Sequence, residues 1–197
     1  NIEKFWDVIN AFRCAKGQPL LYGVASDDAH YYDPARINGY CGVDHGWVMV
    51  RAASLAPESI LNAMDNGDFY STTGVYLDDV RFDPQENRLQ VKVKPEAGAN
   101  YRISFIATKK EFDPSVSWVE IATPPRKIPI YSEAIGREVR AVPGVEASYT
   151  LEPDDLYVRA RIESDLLATL SNDPKYAKLY PKMQTAWTQP YTINHDQ

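Results

Sequence analysis

The chain has 197 residues, 44% of them hydrophobic and 24% charged, which is ordinary for a folded globular protein. Its formal net charge of -6 argues against nucleic acid as a partner, because phosphate binding needs clustered Lys and Arg. No apolar run approaches the roughly 18 residues that a membrane-spanning helix needs, so no membrane span is expected.

The first 67 residues predict helix, strand, loop, strand and helix in that order. Apolar residues recur at helical spacing over residues 2–16, and Gly17 ends that pattern: Ile2, Phe5, Trp6, Ile9 and Phe12. The apolar run 19–25 is bounded by Pro19 and by three polar residues, which predicts a buried strand of a parallel α/β sheet. A second strand is expected over residues 47–51 and a helix over residues 57–66.

After about Phe69 the hydrophobic pattern changes from helical to alternating, which is typical of strands. Strands are predicted near Leu77, Leu89 and Tyr101, then over 116–121, 128–131, 139–142, 146–151 and 156–162. Many short strands with turn signals between them favour an antiparallel β-sandwich. The last thirty or so residues, which hold three prolines, are expected to be mostly irregular.

Two residues at the end of the first predicted strand could bind metal. Asp28 and His30 are two positions apart, so on an extended backbone their side chains would share one face. A carboxylate with an imidazole suits Zn, Mn or Fe. Asp-x-His also occurs by chance, and on spacing alone the alternative is that Asp27 or Asp28 caps a turn while His30 lies exposed in a loop.

Three longer stretches resemble the end of the PHP (polymerase and histidinol phosphatase) family of metal-dependent hydrolases. They are Gly-Val-Ala-Ser-Asp-Asp-Ala-His at 23–30, Gly-Trp-Val-Met-Val-Arg-Ala at 46–52 and Asn-Gly-Asp-Phe-Tyr-Ser-Thr-Thr-Gly at 66–74. Stretches 156–164, 172–174 and 186–190 resemble the C-terminal appendage of the CehA/McbA-like, carbaryl-hydrolase-like branch. The resemblance implies an α/β fold, with residues 1–74 as the C-terminal strands and helices of a (β/α)7-type barrel and residues 75–197 as a β-sandwich appendage.

The same resemblance implies a function and a set of site residues. Asp28 and His30 would be ligands in a multinuclear site of divalent ions. Asp27 would not bind the metal itself but would hold the loop or a ligand residue in position. The metals would activate a water to hydrolyse a phosphoester or a carbamate or amide bond in a small-molecule substrate. No separate general acid is identified.

The chain departs from the family pattern in one large respect. It has only three histidines, His30, His45 and His195, and no counterpart of the family's N-terminal His-x-His pair. Since a catalytic zinc needs about three protein ligands, the chain alone is expected to be inactive. The remaining ligands are expected from an upstream segment of the same protein or from a second copy. The absence of an initiator Met at Asn1 is interpreted as a sign of a processed product or a fragment.

Other features leave alternatives open. His45 and Arg51 are candidates for substrate contact, although an exposed loop histidine and a structural ion pair are the simpler interpretations. The aromatic content favours, as an alternative function, a glycan- or protein-binding β-sandwich module. The face of Tyr157, Arg159 and Arg161 is either a ligand platform or a solvated outer sheet face. Pairing of Cys14 with Cys41 and the cellular compartment, including export, stay open.

Overall fold

The computed structural model describes residues 2–29, 43–168 and 182–193, which contain two helices and eleven strands. The helices are α1 (Ile2–Ala15) and α2 (Pro57–Asp65). The strands are β1 (Trp47–Val50), β2 (Phe69–Thr72), β3 (Leu77–Asp83), β4 (Arg88–Val93), β5 (Tyr101–Lys109), β6 (Val116–Ala122), β7 (Pro125–Tyr131), β8 (Arg137–Pro143), β9 (Glu146–Thr150), β10 (Asp155–Leu167) and β11 (Met183–Thr188). Neither helix is long and apolar enough to cross a bilayer.

The strands form three antiparallel sheets. The largest has six strands in the order β1-β2-β11-β10-β5-β8, the second has the order β3-β4-β9, and β6 pairs only with β7. The six-stranded sheet therefore takes strands from both sides of the boundary expected between residues 74 and 75.

One core lies between the two larger sheets. Alternate residues of β4 point inward, namely Leu89, Val91 and Val93, and each is at most 1% exposed. They belong to the same buried cluster as residues of β5 and β10, among them Ile103 and Phe105. This two-layer arrangement is compatible with the predicted β-sandwich, because antiparallel sheets bury the face that carries the alternate apolar residues.

The expected barrel of alternating strands and helices is wrong. Every strand pair in the described part of the chain is antiparallel, and only two helices occur there. The run 19–25 forms no strand, and Leu21 and Val24 are 44% and 66% exposed. A strand buried in a parallel sheet needs cover on both faces, and the described residues do not give this run such cover.

Helix α1 packs on the other face of the six-stranded sheet. It buries Asp7, Val8, Asn10 and Ala11, rather than the apolar stripe that the sequence pattern marked as its core face. Tyr157 and Arg159 on β10 lie beneath it at 0% and 1% exposure, so this outer face of β10 is covered there. The Arg159 guanidinium donates two hydrogen bonds to the Asp7 carboxylate, at 2.8 and 2.7 Å.

Candidate functional site

A cleft of about 530 Å³ lies where the segment after α1 meets the segment before β1. Two stretches of backbone form its walls, one ending in the Asp27–Asp28 pair and the other leading into Trp47. We call it the Asp27–Asp28 cleft. Its lining residues are Ala25, Ser26, Asp27, Asp28, Ala29, Gly46, Trp47 and Val48.

Asp27 ties the two walls of this cleft together. Its Oδ1 accepts hydrogen bonds from the backbone N–H groups of His45, at 2.7 Å, and Gly46, at 2.8 Å. Gly46 also approaches the first wall closely, since a Cβ there would lie 3.3 Å from the Cβ of Ala25. A carboxylate with two backbone donors is well satisfied electrostatically, so Asp27 fixes the position of the loop that precedes β1.

Asp28 lies exposed at the cleft and has an unusual backbone conformation. Its φ of 54° is in the left-handed region, which is uncommon for residues other than Gly and is enriched for Asp and Asn. Its N–H lies 3.4 Å from Ser26 Oγ, which accepts a weak hydrogen bond. The premise that the chain is extended at Asp28 is therefore wrong. His30 lies outside the described residues, so the pairing of Asp28 with His30 stays a prediction.

The segment that carries Asp27 is held by side chains instead of a strand ladder. Gln189, which follows β11, accepts from Gly23 N–H at 2.8 Å and donates to Gly23 C=O at 2.9 Å. Ser71 on β2 donates to the same carbonyl at 2.9 Å and accepts from Ala25 N–H at 3.0 Å. These four bonds satisfy the backbone of an extended segment that pairs with no strand.

Sequence reasoning missed these two supporting side chains for different reasons. Ser71 stands in the stretch 66–74 that resembles the PHP family, but the sequence pattern does not indicate which groups its hydroxyl contacts. Gln189 carries no local signal, because its partner Gly23 is 166 positions away in the chain. Side-chain pairing with a backbone over such a separation depends on the tertiary fold.

The two substrate-side candidates occupy different places. His45 is half-buried and its backbone N–H contacts Asp27 beside the Asp27–Asp28 cleft.

Arg51 is exposed and pairs with Asp79 at 2.5 Å. It lines a second cavity, of about 200 Å³, together with Tyr191. Burial, reinforced by the charge of Asp68, raises the pKa of Tyr191 to about 12, so its hydroxyl stays protonated at neutral pH. The structure does not bring Arg51 to the cleft that holds Asp28.

The donors that the described residues offer are a partial ligand set. Among residues 2–29, 43–168 and 182–193, no three His, Cys, Asp or Glu side chains are grouped so that they could hold a metal ion. Asp28 places one carboxylate at the Asp27–Asp28 cleft, and carboxylate oxygen suits divalent cations. The residues fit a metal only if His30 and donors from elsewhere complete the set, since a catalytic ion needs about three protein ligands.

The remaining candidates lie outside this cleft. Cys14 is a free, half-buried thiol, and burial raises its pKa to about 11, so it is a poor nucleophile at neutral pH. Cys41 and His195 lie outside the described residues. Two tryptophans could serve the alternative glycan-binding module: Trp118 is 60% exposed on β6, and Trp187 is half-buried on β11.

Comparison of the chain with family models, with curated proteins and with solved structures finds no match.

Proposed function

We propose that this chain contributes a metal-binding loop to a metal-dependent hydrolase related to the PHP family, acting on a phosphoester or on a carbamate or amide. The observation that carries the proposal is the position of Asp28. This residue lines an open cleft in a left-handed conformation, while its neighbour Asp27 fixes the facing loop. Sparsely populated backbone conformations of this kind cluster at functional sites.

Each residue of the loop has a distinct role in this proposal. Asp28 and His30 are metal ligands, and Asp27 is a positioning residue that holds the His45–Gly46 backbone against the ligand segment. Bound divalent ions would supply a hydroxide near neutral pH and would polarise the scissile bond. Trp47 lines the facing wall, where it would contact the substrate, and His45 lies beside that wall through its backbone contact with Asp27.

The cleft suits a small molecule. Its volume of about 530 Å³ falls in the range of about 300–1,000 Å³ that is usual for small-molecule sites, although the cleft is wide open and would leave much of a bound ligand exposed. The ligands that the described residues lack come from a further segment of the protein or from a second copy of the chain. Either source would also cover the exposed apolar residues near the cleft, such as Val24.

Metal analysis of the complete gene product tests this proposal. The expected result is divalent metal in the purified protein and a loss of most of it in Asp28→Ala and His30→Ala variants, since each removes one ligand. Asp78→Ala is the matched control, because it removes an exposed carboxylate that lines the second cavity instead. Metal content unchanged in both ligand variants would refute the assignment, whatever the activity of the preparation.

A further inference from the structure

The β6–β7 hairpin stands apart from the two larger sheets and exposes apolar side chains. It forms a sheet of its own, and Trp118, Val119 and Ile130 are 60%, 51% and 46% exposed. An isolated two-stranded hairpin is at best marginally stable in water. This hairpin is therefore the part of the described chain that would gain most from an added strand.

The prolines of β7 fix which backbone groups of the hairpin point outward. Pro125 lies opposite Ala122, and Pro129 lies opposite Trp118. Proline has no N–H, so these two pairs cannot be the pairs that exchange both ladder hydrogen bonds. Hydrogen-bonded and non-hydrogen-bonded residue pairs alternate along an antiparallel ladder. The hydrogen-bonded pairs of β6 with β7 are therefore those of Ser117, Val119 and Ile121. The N–H and C=O groups of the even-numbered residues of β6 therefore point away from β7: Val116, Trp118, Glu120 and Ala122.

The two edges of the hairpin consequently differ. Along β7 the outward positions include Pro125 and Pro129, and prolines on an edge block the addition of another strand. Along β6 all four outward residues have both backbone groups, and only Glu120 is charged. Within the described residues no hydrogen bond to these groups is formed from outside the hairpin. The edge of β6 is thus open where the edge of β7 is protected.

We propose that β6 pairs antiparallel with β6 of a second copy of this chain, around a two-fold axis that passes through Val119. In this register Trp118 faces the partner's Glu120, and Val116 faces the partner's Ala122, so all four outward residues of each copy are bonded. A register centred on Glu120 would place two carboxylates opposite each other, which is destabilising. A register centred on Trp118 would leave Ala122 without a partner.

The side chains favour the same arrangement. Val119 and Ile128 are opposite each other on one face of the hairpin. The two-fold axis would bring both Val119 side chains together and would place an Ile128 on either side of them, giving a continuous apolar row across four strands. Glu120 keeps its ion pair with Lys127, at 3.1 Å, on the other face. A strand that is complementary to itself in backbone groups and apolar surface, in a register that keeps the two Glu120 carboxylates from facing each other, specifies a second copy as its occupant.

Light scattering on the 197-residue chain, with two substitutions at Glu120, tests the pairing. The chain is expected to be a dimer of twice 22.3 kDa. Glu120→Pro removes one outward N–H donor from each copy and leaves the hydrogen bonds to β7 intact. The dissociation constant of the dimer should therefore rise by about 10- to 100-fold. Glu120→Ala, which loses only the ion pair, is the control and should dimerise like the wild type. A chain that stays monomeric, or a dimer that Glu120→Pro leaves unchanged, overturns the proposal.

A cysteine placed on the axis provides a test that does not depend on the proline variant folding. In the proposed register the two Val119 residues form a non-hydrogen-bonded pair, with about 4.5 Å between their Cα atoms, which is short enough for a disulfide. Val119→Cys should therefore give a covalent dimer on mild oxidation. Ser117→Cys, on the same face but opposite the partner's Ile121, should not. Equal cross-linking of the two variants, or none in either, contradicts the two-fold through Val119.

Discussion

At Asp27 a single carboxylate oxygen accepts hydrogen bonds from two successive backbone N–H groups, those of His45 and Gly46. The loop that contains these donors also includes Asp44, which has a φ of 66°, and it therefore needs a strong local contact to keep its shape. The carboxylate supplies that contact at half-buried depth, where charge-assisted hydrogen bonds are worth more than neutral ones.

Replacing Asp27 should therefore loosen the cleft in a graded way. Asp27→Ala leaves two backbone donors without their acceptor and should lower the free energy of unfolding by about 1–3 kcal/mol. Asp27→Asn keeps an oxygen in place and should lose less than half as much. Urea unfolding of both variants, with Asp78→Ala as a surface control, measures the difference. If Asp27→Ala unfolds at the wild-type midpoint, the two hydrogen bonds do not stabilise the loop.

At this scale the sequence locates the polar residues but not their geometry. Asp27 and Asp28 stand in a polar cluster after an apolar run, and the structure places both at a cleft, while their role as part of a metal site stays a prediction. The left-handed conformation of Asp28 could not be predicted from the residues around it in the sequence. An Asp residue tolerates both extended and left-handed conformations, so local sequence does not decide between them.

Among the elements, α1 shows how a buried charge overrides an apolar stripe. The residues that the helix buries include Asp7, whereas Phe5 and Ile9 remain 45% and 42% exposed. The reason lies in β10, whose Arg159 is buried beneath the helix and would carry an uncompensated charge without a carboxylate partner. The free energy lost by leaving the Arg159 charge unpaired exceeds the free energy gained by burying the Phe5 and Ile9 side chains instead.

The contacts around Asp7 join the helix to the sheet beneath it. Tyr157 donates a hydrogen bond to Asp7 at 3.0 Å, and Thr108 on β5 donates to the Tyr157 hydroxyl at 3.0 Å. The Arg159 guanidinium also lies 4.8 Å from the centroid of the Trp6 ring. Burial, together with the charge of Asp7, raises the pKa of Tyr157, so its hydroxyl remains a donor across the physiological range.

Breaking the Asp7–Arg159 pair from one side should therefore be costly. Arg159→Met leaves the buried Asp7 carboxylate without its cation and should lower the free energy of unfolding by about 3–5 kcal/mol, whereas Asp7→Leu should cost less because Arg159 keeps Glu3 at 3.2 Å. The double variant Asp7→Leu, Arg159→Met removes both charges and should be closer to the wild type than either single variant. Thermal unfolding of the four proteins measures the coupling. Additive losses in the double variant would contradict a coupled buried pair.

The other helices and strands differ in whether their own sequence pattern is enough to predict them. Both helices and the strands with alternating apolar residues, such as β4, β5 and β10, could be predicted, because period and flanking turns lie within each element. Strand β11 was missed in a stretch expected to be irregular, because its pairing partners β2 and β10 are far away in sequence. The run 19–25 has strand-like composition, but Ser71 and Gln189 satisfy its backbone instead.

For the whole molecule, strand order determines which region holds the fold together. β10 and β5 are adjacent in the six-stranded sheet, with the sandwich core on one face. β10 is also covered by α1 on the other face, where Tyr157 lies at 0% exposure. β8 lies at the edge of the same sheet, and most of its residues are exposed. The Asp27–Asp28 cleft is attached to the opposite edge through Ser71 on β2.

Hydrogen exchange should follow this gradient across the sheet. Amides that bond across the ladder between β5 and β10, where Ile103, Phe105, Val158 and Ala160 are fully buried, should exchange only through global unfolding and so report its full free energy. Ladder amides of β8, hydrogen-bonded to β5 in the same sheet, should exchange at least about tenfold faster through local opening of the edge. Mass spectrometry of peptides from the two regions measures both rates in one sample. Equal protection in β8 and β10 would mean that the sheet opens as a single unit and that burial on two faces gives β10 no additional stability.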